Sequence, residues 1–421
     1  MKLFVIAVFL LTYLVIVLFN RKIHPLISVF AGVGVILFSG ALGVKDAFLS
    51  INFNVIGVFL GTMILSGLFI YSDVPGFLAV HLVARSKNVG MALLYMCLLA
   101  SFISSFTENV ATVLIVAPIA FEVAKKLKAN PIPFLIGIAV SSNLQGSATM
   151  IGDSPSIILA MSHKMNFMDF FWMKGRPGIA FAVEIGAVFS FLVLYFLFRK
   201  YKQGVQKIDQ VTIKTWVPTI LMVLMIVSLA ISSFIPQKPY YSIALICLFF
   251  GAIGLLWYKI FPKQGFSFKK NIDWRTLFFL IGVFILIGAL SHVGVIEDIA
   301  HFISRVTGGN VLLTFTLIVW ISVLCSAFID NIPYVIAMIP VAKLLADGMG
   351  ARPELLLFGL LIGATLGGNL TPIGASANIV SVGMLRKRGY KVSFGEFFKI
   401  GLPFTLAAVI AAYLFLWFTW R

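Results

Sequence analysis

The chain has 421 residues, of which 61% are hydrophobic and only 11% charged, and its mean hydropathy is +1.06. A soluble domain is about half apolar and a quarter charged, so too little polar side chain is present here to cover a water-exposed surface, and a soluble enzyme or scaffold is excluded. The net charge of +17 does not point to nucleic acid. The basic residues gather at the ends of apolar runs, where the positive-inside bias and anionic lipid headgroups place them.

A helix that crosses ~30 Å of hydrocarbon needs about 20 apolar residues. On that criterion crossings are expected near residues 3–19, 25–43, 52–71, 133–162, 178–198, 215–235, 239–260, 275–293, 353–384 and 400–420. The first run is too long for a signal-peptide core and has no small-residue cleavage pattern after it, so it reads as a retained span. Two further apolar segments, 91–127 and 311–347, carry polar, helix-breaking centres and read as re-entrant hairpins. Short stretches of mixed polarity at 73–88, 163–176, 294–308 and 392–399 are expected as helices at the membrane interface. The fold class is therefore an all-α polytopic membrane protein of about ten crossings plus two hairpins. With the 20–24 turn in the cytoplasm, 22 of the 32 Lys and Arg fall on the cytoplasmic side, including Arg21, Lys22, Lys207, Lys263, Lys269 and Lys270. Both termini then face out of the cytoplasm. Cys97, Cys247 and Cys325 lie in apolar runs without paired spacing, so buried thiols are expected rather than a disulfide or metal site.

Shifting the chain by 222 residues lays "SSFTENVATVLIVAP" (104–118) on "SAFIDNIPYVIAMIP" (326–340). Glu108 then meets Asp330, Asn109 meets Asn331 and Pro118 meets Pro340. The same shift lays "SATMIGDSPSII" (147–158) on "NLTPIGASANIV" (369–380), so that Thr149 meets Thr371, Gly152 meets Gly374 and Ser156 meets Asn378. Two motifs in register over one offset mark an internal duplication. An odd number of crossings, five, separates the start of the copy at 52 from that at 275, so the second copy is expected to be inverted. Inverted repeats with interrupted helices are the architecture of secondary transporters.

Asn, Thr and Pro at the hairpin tips free backbone amides and carbonyls. Unsatisfied in lipid, each would cost several kcal/mol, so the tips must be buried in protein or line a cavity. The Gly- and hydroxyl-rich stretches after 146 and 367 read as unwound segments in mid-crossing, with half-helix dipole ends and loose carbonyls available to a ligand. A carboxylate at the bilayer centre costs ~2.5–3.5 kcal/mol on the insertion scale. Glu108, Asp153 and Asp330 nonetheless lie deep in apolar runs and inside the repeated motifs, as expected of groups that bind protons or cations. Glu184 lies in an apolar run outside the motifs and is equally well read as a packing acid. His292, at the end of a crossing, reads as an interfacial side chain that could also join a proton path. No nucleotide-binding glycine motif supports ATP-driven pumping, and no nucleophile–base or metal constellation supports an enzyme.

These motifs, together with "GGNLTPIGASANIVSVGMLRKRGYKVSFGEFFKIGLP", resemble the ion-transporter superfamily over about residues 50–420. The group of the arsenite permeases, the melanosomal P protein and the NhaD-type sodium/proton antiporters is the most similar. Glu108 stands where P-protein-like members have Asp, and Ser154 and Ser156 stand where Pro and Asn are usual. The resemblance implies a scaffold and a transport unit, the latter carrying both hairpins and both broken helices, with dimerisation through the scaffold and an elevator motion. It implies scaffold helices in 1–49, a first repeat over 50–198 (hairpin 91–127, broken helix 133–162), a linker with two scaffold helices over 199–274, and a second repeat over 275–421 (hairpin 311–347, broken helix 353–384). Carried over residue by residue, the substrate and ion site comprises Thr107, Glu108, Asn109, Gly152, Asp153 and Ser156 from the first copy. The second copy supplies Asp330, Asn331, Gly374, Ser376 and Asn378, the repeated pair Thr149 and Thr371 is added to the site, and sodium is a candidate occupant of the tips.

The functional expectation is a secondary transporter of the plasma (inner) membrane coupled to H+ or Na+, without cofactor, nucleic-acid partner or enzymatic activity, and dimeric. A small inorganic solute such as an arsenite-like metalloid acid is the leading substrate. Sodium/proton antiport comes next, then di- or tricarboxylate transport, which two acidic tips disfavour by repulsion. A passive channel is the alternative of another class.

Overall fold

The computed structural model describes residues 1–19, 24–126, 128–204, 211–261, 266–268 and 272–421. The basic residues Arg21, Lys22, Lys207, Lys263, Lys269 and Lys270 of the charge analysis lie outside these, as does residue 127 at the end of the first hairpin. Nineteen α-helices account for nearly all of the described chain.

The first half begins with α1 (Lys2–Phe19), α2 (Pro25–Phe38), the short α3 (Val44–Ser50), α4 (Phe53–Tyr71) and α5 (Val74–Ala84). A hairpin of α6 (Val89–Ser104) and α7 (Asn109–Lys126) follows, then the interrupted pair α8 (Pro131–Gly146) and α9 (Ser154–Ser162), and α10 (Ile179–Phe198). The second half has α11 (Val217–Ser232), α12 (Ser242–Ile260), α13 (Trp274–His292), α14 (Val295–Thr307) and the hairpin α15 (Val311–Ser326) and α16 (Asn331–Met349). It ends with the interrupted pair α17 (Pro353–Gly367) and α18 (Ser376–Lys387) and the long α19 (Phe394–Trp420).

Among the described residues seven spans, over 53–71, 179–198, 242–260, 274–292, 331–349, 353–370 and 394–420, are long and apolar enough to cross a membrane. Helices α10, α12 and α19 expose Phe196, Phe249 and Phe418 on their outer faces, as expected where lipid replaces water. Within the chain, α4 packs on α12 and α2 on α13, while α10 packs along α19. The interrupted pairs lie between, and α17 is buried along nearly its whole length. Each crosses to the other half: α9 packs on α16, and α18 on α7 and α8.

The 222-residue offset is also visible in the elements. It carries the bounds of α6 onto those of α15, and the starts of α7, α8 and α9 onto those of α16, α17 and α18. It carries hydrogen bonds as well. Thr149 Oγ1 donates to Ser105 O, and Thr371 Oγ1 to Ala327 O. Ser104 Oγ donates to Ser142 O at 2.8 Å, and Ser326 Oγ to Ala364 O. In each copy a serine near the end of the first hairpin helix ties the hairpin to the following crossing, and a threonine in the break holds the tip.

Several local expectations are revised. The stretch 163–176 does not form an interfacial helix: it holds a 3-10 turn (Phe167–Phe170) and a two-stranded antiparallel ribbon pairing Trp172 with Pro177, and its Lys174–Gly175 turn has positive φ at both residues. Residues 392–399 are not a separate interfacial helix. A capping box of Ser393 and Glu396 starts α19 at Phe394, and the helix runs unbroken to Trp420 with Pro403 inside it. Pro118 and Pro340 likewise sit within α7 and α16 rather than at the tips, and the breaks fall at 105–108 and 327–330. The 73–88 helix α5 buries Val74, Pro75, Ala79 and Val83 against the chain.

Candidate functional site

Each break forms where the sequence supplies a cap for the next helix. Asp153 is the N-cap of α9, and its Oδ1 accepts from Ser156 N at 2.9 Å. Asp330 is the N-cap of α16, and its Oδ1 accepts from Ile332 N at 3.3 Å. Such caps satisfy helix N–H groups that have no intrahelical partner. The broken helices also need glycine. A Cβ at Gly152 would stand 2.4 Å from Gly146 O and 2.8 Å from Ser104 O, and one at Gly374 2.7 Å from Gly368 O and 2.8 Å from Ala327 O. No side chain fits there, so the unwound backbone lies directly on the hairpin tip.

The first tip and the first break enclose a cavity of about 80 Å³ with α4. Glu108 and Asp153 line it, with Thr62 and Ser66 of α4, Ser154 of α9 and Asp273 at the start of α13. No Lys, Arg or His is among its lining residues. Asp153 is 2% exposed, and its Oδ2 has no protein hydrogen-bond partner, although Asn109 and Ser156 stand nearby. Among the described residues no group of three or more His, Cys, Asp or Glu is arranged to hold a metal ion directly.

The remaining expected residues divide by what they touch. Thr107 Oγ1 donates to Ile103 O at 3.0 Å and shares a 2.9 Å hydrogen bond with Thr112, inside the hairpin. Asn109 accepts from Ser104 Oγ at 2.8 Å. Ser156 Oγ donates to Gly146 O at 3.4 Å, and its counterpart Asn378 donates from Nδ2 to Gly368 O at 2.8 Å. In the second copy Ser376 Oγ lies 3.5 Å from Asp330 Oδ2, Asn331 opens α16 half-buried, and Ile373 is 56% exposed, whereas its counterpart Ile151 is 2% exposed. The copies thus differ: the first break is closed under α4 and the second is open. The first carries Asp153 where the second has Ala375, which makes no side-chain cap.

Sequence reasoning did not single out Asn143, Asn369 or Asp273. Asn143 Nδ2 donates to Asn369 Oδ1 at 2.8 Å and to Asn378 Oδ1 at 3.0 Å, and Asn369 Nδ2 reaches back to Val140 O at 3.2 Å. This buried amide cluster joins the two breaks. A signal was present in "SSNLQGS" and "GGNLT", polar runs in apolar crossings, but Asn143 aligns with Thr365 and so falls outside the matched pairs. Glu184 accepts from Gln145 Nε2 at 2.7 Å. His292 lines, with Asp46 and Ser291, a separate cavity of about 450 Å³ beside α3. Cys97, Cys247 and Cys325 are free thiols.

The sequence model described as "Citrate transporter" matches residues 13–363. An uncharacterised transporter of Mycobacterium bovis is 30% identical over 430 residues, covering 99% of this chain and 98% of that protein. The P protein of Homo sapiens is 28% identical over 440 residues, covering 84% of this chain and 52% of its own length. Among solved structures, the Alcanivorax borkumensis YdaH transporter superposes with a TM-score of 0.57 at 14% identity, over 94% of this chain and 88% of that one. Neisseria gonorrhoeae MtrF, from a class described as antimetabolite efflux pumps, gives 0.53 at 14% identity, over 89% and 82%. At that identity the likeness concerns the fold, that of membrane transporters. Its interrupted helices, its apolar exterior and the sequence match over most of its length together make this chain a member of the citrate transporter family, within the ion-transporter superfamily.

Proposed function

We propose that the protein is a secondary transporter in which Glu108 and Asp153 carry the coupling ion, H+ or Na+, with Asp330 as the corresponding acid of the second copy. The observation that carries this reading is the small cavity between hairpin tip, broken helix and α4, whose lining sets carboxylates and hydroxyls among apolar side chains and includes no basic side chain. A buried carboxylate without a counter-charge must take up a proton or bind a cation. Five crossings from the start of the first copy to the start of the second, counting each interrupted pair as one and each hairpin as none, would invert the second half relative to the first. An elevator motion of the hairpins and broken helices against the remaining helices would then open the site to each side in turn.

The leading solute is a small neutral inorganic acid of the arsenite kind, exported in exchange for protons, because it brings no negative charge into an acid-lined cavity. Sodium/proton antiport uses the same groups with no further solute. The family description favours citrate as a second reading, although a trianion in this cavity would meet like charge at short range. A flux screen in proteoliposomes separates them: arsenite, silicic acid, sodium and citrate, each with and without imposed pH and sodium gradients. Gradient-driven arsenite flux supports the lead. Citrate flux alone replaces it, and a single-channel current ends the carrier reading.

A further inference from the structure

Asp273 belongs to no repeated motif. It is the N-cap of α13, accepting from Thr276 N at 3.1 Å through Oδ1 and from Thr276 Oγ1 at 2.7 Å through Oδ2. Capping does not require an acid, because Asn caps as well as Asp. The cap that starts α4 in the first half, one residue out of the 222-residue register, is Asn52, which accepts from Val55 N at 3.2 Å. Asn52 does not line the acid cavity, whereas Asp273 does, together with Glu108 and Asp153. The charge therefore stands only at the copy of the cap that faces the tip.

Three further observations point to an occupant. The partnerless Oδ2 of Asp153 belongs to a residue 2% exposed that lines the same cavity. Thr62 donates its hydroxyl hydrogen to Val58 O at 2.9 Å, which leaves oxygen lone pairs for a ligand. The 80 Å³ of space exceeds the ~10–15 Å³ that one water needs. The hydroxyls and carboxylates of the lining are oxygen donors, which suit a hard cation, and the sulfur of Met63, also in the lining, accepts from Asp273 N at 3.0 Å.

We infer that Asp273 is the stationary arm of a sodium site: Glu108 and Asp153 bring the cation, and Asp273 completes its charge environment when the tip closes against α4 and α13. The inference rests on the reading of Glu108 and Asp153 as coupling acids. With the cavity empty, three carboxylates share it and their mutual repulsion opposes closure; with sodium present, closure is favoured. Asp273 thereby makes closure depend on loading.

The test uses the full chain in detergent, unfolded by heat while sodium chloride replaces choline chloride at constant ionic strength, with potassium chloride in parallel. Sodium is expected to stabilise the wild type more than potassium does. Asp273→Asn keeps the cap, so its unfolding temperature in choline should match the wild type, while the sodium needed for half the effect rises by about tenfold. Asp273→Glu should retain most of the response, and Asn52→Asp should leave it unchanged. A wild type indifferent to sodium, or an Asp273→Asn response equal to the wild type, overturns the inference. Gradient-driven flux measured on the same preparations keeps the two readings apart. Flux without sodium stabilisation removes the sodium site and leaves the transporter; no flux under any gradient removes the transporter reading.

Discussion

Asn143, in the first interrupted helix pair, donates its amide hydrogen across the molecule to the side-chain oxygen of Asn378 in the second, at 3.0 Å and with both residues buried. The same nitrogen donates to Asn369 Oδ1 at 2.8 Å, and Asn378 in turn donates to Gly368 O and Thr371 O. Two unwound segments that lie far apart in sequence are thereby tied by amides, which supply donors and acceptors without net charge. Glu108 and Asp153 line the cavity that α4 and Asp273 complete.

Replacing Asn143 with Ala removes the donor of both bonds and leaves two buried amide oxygens short of a partner. Each such loss costs about 1–3 kcal/mol. Asn143→Ala should therefore lower the midpoint of thermal unfolding in detergent more than a surface Asn→Ala does. An unchanged midpoint would mean that packing and the remaining hydrogen bonds, Asn369 Nδ2 to Val140 O and Ser381 Oγ to Leu135 O, suffice to hold the two interrupted pairs together.

The matched threonines offer a test of equivalence between the copies. Thr149→Val and Thr371→Val keep the side-chain shape and delete the hydroxyl that holds each tip. Each is expected to destabilise by about 0.5–1.5 kcal/mol. The two positions share no hydrogen-bond partner, so the double variant should show nearly the sum. A strong departure from additivity in chemical or thermal unfolding would place the two tips in one cooperative unit.

Gly152→Ala and Gly374→Ala put a methyl group within 3 Å of backbone carbonyls on either side. Backbone cannot yield as a flexible side chain can, and overpacking of this kind costs about 1–3 kcal/mol. Both variants should show reduced yield of monodisperse protein by size-exclusion chromatography. Gly395→Ala, where a Cβ meets nothing within 4 Å, should behave as the wild type.

Asp153→Asn and Asp330→Asn separate capping from charge, since Asn fills an N-cap as well as Asp. Both proteins should fold with near wild-type midpoints. In proteoliposomes Asp153→Asn should lose most flux driven by a pH or sodium gradient, because the cavity then keeps Glu108 as its only tip-side acid. Asp330→Asn should also impair coupled flux, through the second copy. Full coupled flux in Asp153→Asn would remove that residue from the ion-carrying role.

Much of this arrangement was legible from residues alone. Apolar runs of span length marked the helices, and the caps Asn88, Asn130, Asp153 and Asn310 begin α6, α8, α9 and α15 near where those runs start. The repeated acid–Asn pairs, Glu108–Asn109 and Asp330–Asn331, located both tips. Proline misled: Pro118 and Pro340 sit inside helices, because a proline in an apolar helix costs one hydrogen bond and neighbouring elements can absorb the kink. The 163–176 segment misled too, since short-range polarity does not distinguish an interfacial helix from a ribbon held by a Lys174–Gly175 turn.

Asp273 and Asn143 were not legible, and the reason is the same for both. Each acts on residues far away in the chain, and neither has a like residue at the 222-residue offset: Asn143 aligns with Thr365 and Asp273 with Ile51. By itself the sequence determined that the chain is membrane-embedded, duplicated and broken at four places, because hydrophobic length, internal register and helix-capping chemistry are local properties. Only the tertiary structure decided that the first break is closed and acid-lined while the second is open, and that a carboxylate from α13 faces the first tip. Those are properties of packing between distant elements, where a cavity exists or not according to which helix lies over it.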